Sequence, residues 1–529
     1  MNAMQQLLTE HMAIWTAADT EKKSGRGRAS GNAGSVYGIK KLRELICELA
    51  ATGRIVETNH NVKDYLLGDI SEFVMGQAPP GSECNTTGDG TIFVKTGEFG
   101  VLYPEIKEWT TKPLKFAKTG DILICVVGAT IGKLNLAIDC AIGRSVAAIR
   151  PTEGIDFKYL YLVLTPFTLR LREKSRGSAQ GVIGKAELSL VKIRLPELEE
   201  QHRIVAKVDE LMALCDQLEA QHSNAAEAHE KLVSHLLGTL TQSQSAYDFS
   251  ANWQRIAAHF DTLFTTEVSI DALKQTLLQL AVMGKLVPQD ANDEPASELL
   301  KRIQAEKAKL VAEGMIKKEK PLEPISENEK LFEVPSKWEW VRLADLLAIV
   351  TDGDHQAPPK SDSGIPFLVI GNLNAGNISI ENCRFVPEQY FEKLDWIKKP
   401  LIDDLLYTVT GSYGIPIKVE KSQQFCVQRH VAILKSTKST PVNYLVYLLK
   451  SKYAFEYATE IATGIAQKTV PLTGLRMMTV PIPSESEQHR IVAKVDELMA
   501  LCDQLKTHII ATKQLQQKLA DVMIERVIH

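Results

Sequence analysis

The chain has 529 residues, 44% hydrophobic and 24% charged, with a formal net charge of −4. Domains average about 150 residues, so this length excludes a single ordinary domain, and the composition is that of a globular protein with real cores. Near-neutral charge excludes a uniformly polybasic nucleic-acid binder, but not binding by one region, because the sum averages over domains.

In chain order, a basic, Gly-rich stretch, Lys22 to Arg28, reads as a flexible loop or a phosphate contact. A helix follows over Ile39 to Val56. Short β-like runs come next at Thr91 to Lys95, Asp121 to Val127 and Val146 to Arg150, punctuated by Gly, Pro, Asn and Asp. A helix is predicted around Asp156 to Arg176. A longer one, from Glu200 to about Leu237, would span roughly 55 Å at 1.5 Å per residue. After a further helical stretch, Ile270 to Val287, the charged segment Gln289 to Pro335 reads as a surface excursion carrying a helix over Ser297 to Gly314. Three more β-like runs, Phe367 to Ile370, Leu405 to Thr410 and Val431 to Leu434, precede a helix around Pro441 to Ala462 and a last one beginning near Glu487.

Internal repeats organise these elements. Glu200 to Leu218 reads EQHRIVAKVDELMALCDQL, and Glu487 to Leu505 reads the same nineteen letters. Upstream the correspondence loosens. Arg144-Ser145-Val146-Ala147 matches Arg429-His430-Val431-Ala432, Gly120-Asp121-Ile122-Leu123 matches Asp403-Asp404-Leu405-Leu406, and Gln77-Ala78-Pro79-Pro80 matches Gln356-Ala357-Pro358-Pro359. A second repeat pairs Ile39–Val56 with Ile270–Val287. The order is therefore helix, diverged module, helix, twice over. Joining the ends would close a ring of two equivalent halves, which predicts a pseudo-two-fold, circular arrangement.

The identical stretch carries a heptad. Ile204, Val208, Leu211, Cys215 and Leu218 form a narrow apolar seam, as do Ile491, Val495, Leu498, Cys502 and Leu505. Such a seam suits another helix. The obvious partner for each copy is the other copy, packed antiparallel; the alternative is that each lies on its own module. Charge divides along the same lines. From His60 to Pro196 there are 17 basic and 14 acidic residues, and from Ser336 to Pro483 there are 16 and 14, which leaves −9 for the remainder. The modules are mildly basic, which points to them if nucleic acid is the ligand.

Motifs for catalysis are absent or incomplete. Gly128-Ala129-Thr130-Ile131-Gly132-Lys133-Leu134 is one residue short of a phosphate loop, and Leu134 stands where a metal-binding hydroxyl belongs. A Gly-rich turn between strands is the better reading. No Asn/Asp-Pro-Pro-aromatic tetrapeptide, G-x-S-x-G or His-Glu-x-x-His occurs. His222, His229 and His235 lack a carboxylate or Cys cluster to complete a metal set. The eight cysteines include no C-x-x-C pair, so reduced thiols are expected. No apolar run approaches the roughly 18 residues of a membrane span, and Met1 to Gln6 lacks a signal peptide's basic start, so the expectation is a cytoplasmic protein without membrane contact.

Two divergent modules alternating with repeated helices resemble the DNA specificity subunits of type I restriction–modification systems, a bacterial defence. The most specific feature ends each module. It comprises Gly464-Ile465-Ala466-Gln467-Lys468, Leu475, Val480-Pro481-Ile482-Pro483 and Glu487-Gln488-His489-Arg490-Ile491-Val492, matched by Gly177-Ser178-Ala179-Gln180-Gly181, Leu190, Ile193-Arg194-Leu195-Pro196 and Glu200-Gln201-His202-Arg203-Ile204-Val205. Met1 to Val56 resembles the branch with an N-terminal conserved helical region.

The resemblance implies a mixed α/β protein with two target-recognition domains, 60–196 and 336–483, separated by long antiparallel, coiled-coil-like spacer helices. The other parts would be an N-terminal conserved region at 1–59, central helices at 197–290, a charged linker with a helix at 291–335 and a C-terminal helix at 484–529. Each recognition domain would read half of a bipartite, asymmetric site in double-stranded DNA. The helices would set the spacing and dock two modification (methyltransferase) subunits, and restriction (translocase/nuclease) subunits would complete the complex. S-adenosylmethionine, ATP and Mg are expected only on partners, with no metal or catalytic residue on this chain. Amide, guanidinium, hydroxyl and ammonium groups on the matched loops make Gln77, Lys95, Thr130, Lys133, Arg144 and Gln180 the DNA-contact candidates of the first module. Those of the second are Gln356, Asn372, Ser412, Tyr413, Arg429, Gln467 and Lys468. Arg144 and Arg429 could equally be structural. The competing expectations are a helical assembly scaffold that reads no sequence, and a methyltransferase or nuclease with an unrecognised active site.

Overall fold

The computed structural model describes residues 15–16, 36–56, 62–175, 182–244, 246–355, 358–373, 376–465 and 467–528. Lys22–Arg28 lies outside them. The chain divides into two compact units, one formed by Met1–Glu227 with Ala511–His529, the other by Ala228–Ile510. Four helices carry the repeats: α1 (Tyr37–Thr52), α2 (Leu198–Gln242), α3 (Glu267–Val282) and α4 (Glu485–Ile528). At 45 and 44 residues, α2 and α4 each contribute to both units.

In the first unit α1 buries Ile39, Leu42, Leu45, Ile46, Leu49 and Ala50, a stripe recurring every three or four residues. Ile204, Val208, Leu211 and Cys215 of α2 lie in the same core, with Leu218 at its margin and Ala520 and Met523 from the last turns of α4. In the second unit Ile491 and Val495 join the module core. Leu498, Cys502 and Leu505 pack with Ile270, Leu273, Leu277 and Leu280 of α3 and with Val233, Leu237 and Leu240 near the end of α2. The start of α2 thus meets the end of α4 in one unit, and the end of α2 meets the first half of α4 in the other. The long helices run antiparallel.

The partner of each identical seam differs from the expected one. Each copy is covered within its own unit by a short repeated helix, not by the other copy. A two-position heptad seam is narrow, whereas α1 and α3 offer broad apolar faces that bury more area, at about 25 cal/mol per Å². The expected closure of the ring is seen at the ends, where Tyr37 Oη donates to Asp521 Oδ1 at 2.8 Å.

The two modules share one topology. An antiparallel ribbon ties the start of each to its end, Lys63–Leu66 with Lys192–Leu195 and Glu339–Arg342 with Thr479–Ile482. Between these lies a four-stranded antiparallel sheet. Its order is Ser71–Met75, Val146–Pro151, Ile122–Cys125, Leu134–Leu136 in the first module, and Ile349–Asp352, Val431–Lys435, Leu405–Thr408, Pro416–Lys418 in the second. A parallel pair flanks each sheet, Thr91–Val94 with Cys140–Ile142 and Ile365–Leu368 with Cys426–Val427. Ile122–Cys125 reads as a continuous apolar run because both faces are covered: Ile122 and Ile124 enter one core, Leu123 and Cys125 another.

The turn before this strand needs a left-handed residue, which is Gly120 (φ 95°) in one module and Asp403 (φ 68°) in the other. The next residue is a buried carboxylate in both. Asp121 accepts from Arg150 Nε at 2.9 Å and Nη2 at 2.8 Å, and Asp404 accepts from Lys435 Nζ at 2.6 Å.

Two sequence expectations are corrected. The helix anticipated over Pro441 to Ala462 is two, Val442–Lys450 and Lys452–Ile461. Ser451 between them is extended (ψ 156°), and its hydroxyl caps the second by accepting from Ala454 N. The charged segment before the second module is not a surface excursion. Its helix, Ala296–Ala312, buries Ala296, Leu299 and Ile303 in the module core, and Asp293 pairs with Arg490 at 2.6 Å. Among the described residues no helix is long and apolar enough to cross a membrane.

Candidate nucleic-acid interface

At one end of each four-stranded sheet two strands finish and their common neighbour begins, and there four loops converge. In the first module, Gly76 N donates to Val146 O at 2.9 Å, Val126 N to Ser145 O at 2.9 Å and Ile183 N to Val126 O at 2.9 Å; Gly143 N donates to Val94 O at 3.0 Å. The second module repeats every bond: Gly353 N to Val431 O at 3.2 Å, Val409 N to His430 O at 3.0 Å, Val470 N to Val409 O at 2.8 Å and Gln428 N to Leu368 O at 3.0 Å. Glycine is required where the first loop passes closest. A Cβ on Gly76 would lie 2.2 Å from Gly143 O, and one on Gly353 1.9 Å from Val427 O.

The described DNA-contact candidates lie on these loops or on the turns beside them. Gln77 follows Gly76 and is exposed, with its backbone N–H on Ile142 O at 3.0 Å. Thr130 and Arg144 are exposed on adjoining loops. Lys95, half-buried beside Gly143, is ion-paired with Glu108, which raises its pKa, and stands 5.6 Å from the Phe93 ring centroid. Lys133 donates its ammonium to Phe99 O, which braces the neighbouring turn. Gln180 lies outside the described residues, as does Gln356 of the second module.

In the second module the assembly is tighter. Gly411 N donates to Lys468 O at 3.0 Å and Thr469 Oγ1 to Thr410 Oγ1 at 3.3 Å, so the loop bearing Gln467 and Lys468 rests on the one bearing Ser412 and Tyr413. Ser412, Gln467, Lys468 and Arg429 are exposed. Tyr413 is half-buried, stacked on Phe455 with centroids 5.7 Å apart and donating to Thr459 Oγ1 at 3.1 Å. Asn372 accepts from Val369 N at 3.0 Å through Oδ1, which closes its own turn. His430 adjoins Arg429, and burial followed by that guanidinium lowers its pKa, favouring the neutral ring. Phe455 and the fully exposed Ile465 complete this surface. Sequence reading did not select them because hydrogen-bonding chemistry was the filter.

The Gly128–Lys133 loop is not a phosphate loop. A 3-10 turn over Gly128–Thr130 leads into the strand Leu134–Leu136, so no helix N-terminus faces a ligand there. Among the described residues no group of three or more His, Cys, Asp or Glu is placed to hold a metal ion.

The sequence model described as the type I restriction modification DNA specificity domain matches twice, over residues 59–228 and 335–513. The EcoAI specificity subunit of Escherichia coli, a type I restriction enzyme component, is 35% identical over 592 aligned residues covering 100% of both chains. The EcoEI specificity subunit of the same organism is 32% identical over 602, again covering 100% of both. Among solved structures, the HsdS subunit from Thermoanaerobacter tengcongensis is 26% identical, with a TM-score of 0.32 over 43% of this chain and 53% of that one. A type I S subunit from M. genitalium is 13% identical, with a TM-score of 0.24 over 88% of this chain and 97% of that one. The chain belongs to the type I restriction–modification DNA specificity family, and DNA target recognition is its function.

Proposed function

We propose that each module reads one half of an asymmetric, bipartite site in double-stranded DNA with its convergent loops, and that the chain itself performs no chemistry. One observation carries this reading: the two modules hang equivalent loops on the same main-chain hydrogen bonds but place different side chains on them. Thr130 and Arg144 occupy one set, and Ser412, Tyr413, Gln467, Lys468 and Arg429 the other. A common frame with unlike contents suits two different half-sites. Amides and guanidiniums there can address base edges, while hydroxyls and ammonium groups hold phosphates. Two modules read one face of the duplex when the half-sites lie about 34–36 Å apart, one helical turn, and α2 and α4 supply the spacing.

Two modification subunits are the fitting partners of the helices. Seam packing constrains only the buried positions, yet the exposed ones are identical as well. His202, Arg203, Glu210, Leu214 and Gln217 recur as His489, Arg490, Glu497, Leu501 and Gln504. One face presented twice suits two copies of one partner. Methyl transfer with S-adenosylmethionine, and Mg- and ATP-dependent cleavage by restriction subunits, belong to those partners. Footprinting of the assembled complex tests the reading. Two protected patches with an unprotected gap are expected, and a single patch or protection without sequence preference overturns it.

A further inference from the structure

The first residue after the identical stretch differs in charge between the copies: Glu219 follows Leu218, and Lys506 follows Leu505. Each meets the short repeated helix of its own unit. The Glu219 carboxylate accepts from Arg43 Nη2 at 3.1 Å and from the backbone N–H of Val36, the residue that opens α1, at 3.3 Å. Lys506 Nζ donates to the Asp271 carboxylate at 2.8 and 2.9 Å and lies 4.0 Å from Glu267, in the first turn of α3. A neighbouring contact is common to both units, with Arg43 on Asp216 and Lys274 on Asp503, each at 2.6 Å. The register of the two short helices is therefore the same, with Lys40 matching Asp271 and Val36 matching Glu267.

The apolar seam cannot tell the two pairings apart. Ile204, Val208, Leu211, Cys215 and Leu218 have the same side chains as Ile491, Val495, Leu498, Cys502 and Leu505. We propose that positions 219 and 506, with the charges they meet on α1 and α3, are a partner code that keeps each identical copy on its own short helix. Were the partners exchanged, Glu219 would face Asp271 and Glu267. Lys506 would face Lys40, Arg43 and the positive N-terminal end of α1. Every attraction specific to one unit becomes a like-charge contact, and such repulsion separates otherwise equal pairings. The Arg43, Glu219 and Lys506 side chains are 28%, 30% and 28% exposed, so solvent screens them only in part. Two attractive contacts replaced by two repulsive ones shift the pairing equilibrium by about tenfold to a few hundredfold.

The test uses the full chain, unfolded in urea and refolded, with native monomer quantified by size exclusion and light scattering. The exchanged variant Glu219→Lys with Lys506→Glu is expected to lose native monomer at least threefold relative to wild type. Adding Lys40→Asp and Asp271→Lys rebuilds both complementary pairs and is expected to restore at least half of the wild-type recovery. Three outcomes overturn the code. One is full recovery by the exchanged variant. Another is full recovery with only a lower urea midpoint, which would mean that the pairs stabilise without selecting. The third is a loss that the complementary changes leave unrepaired.

Discussion

Lys435→Met probes the buried charge beneath the second module's sheet. Lys435 and Asp404 side chains are 1% and 3% exposed. Burial draws the ammonium below its ordinary pKa, and Asp404 opposes that shift. Nζ also donates to Lys399 O at 3.0 Å and lies 4.9 Å from the Trp396 ring centroid. Removing one member of a buried pair costs about 3–5 kcal/mol, because the other charge is left without compensation. Here the carboxylate keeps backbone N–H donors from Leu401 at 2.7 Å and Ser436 at 3.1 Å, so the lower end, about 3 kcal/mol, is expected. That is roughly a hundredfold in the folding equilibrium. Urea unfolding followed by Trp396 fluorescence measures it. Adding Asp404→Asn should recover at least half of the loss by neutralising the stranded charge. A cost below about 1 kcal/mol, or no recovery in the double variant, would refute the claim that an uncompensated carboxylate sets the magnitude. In the assembled complex, protection of one half-site should fail first on warming while the other persists.

Further outcomes follow from the same contacts. Gln467→Ala with Lys468→Ala should weaken protection of one half-site and leave the other intact, with a salt slope smaller by about one for the lost phosphate contact; footprinting across a salt series reads both. The Arg342 guanidinium and Ser326 hold the Glu329 carboxyl at about 2, below its ordinary 4.5. A depressed folded-state pKa gives stability that is present above about 4.5 and lost as pH falls through about 2, so Glu329→Gln should flatten the melting-temperature profile between pH 5 and 2. Four residues inserted into α2 between Asp216 and Leu237 should lengthen the unprotected gap without altering either half-site. A changed half-site sequence would sink the spacer role.

Much of this architecture was legible because buried strands and repeated helices leave strong periodic or apolar signals. Ile122–Cys125 and Leu405–Thr408 could be read as strands from their short apolar runs alone. The break at Ser451 could not, since a serine inside an apolar helical pattern is also tolerated as a solvent-facing residue. The seam disclosed its spacing but not its partner, because heptads specify that a helix will cover them and not which one. At the interface, offset matching brought distant loops together correctly, for Val126, Ser145 and Ile183 meet as Val409, His430 and Val470 do. The internal partners of Lys95, Lys133 and Asn372 were invisible, because the groups that suit a phosphate or a base also suit a carboxylate, a carbonyl or a turn amide.

The convergent loops of both modules are suspended from main-chain N–H and C=O groups, which every residue except proline possesses in full. Their side chains can therefore change without touching the bonds that hold the loops in place. A protein under pressure to alter what it recognises gains from such an arrangement: new loop residues can be sampled while the sheet, its buried ion pair and the helices keep their stability. The module behaves as a socket whose contents are replaceable, and two sockets in one chain allow one half of a target to drift while the other is preserved.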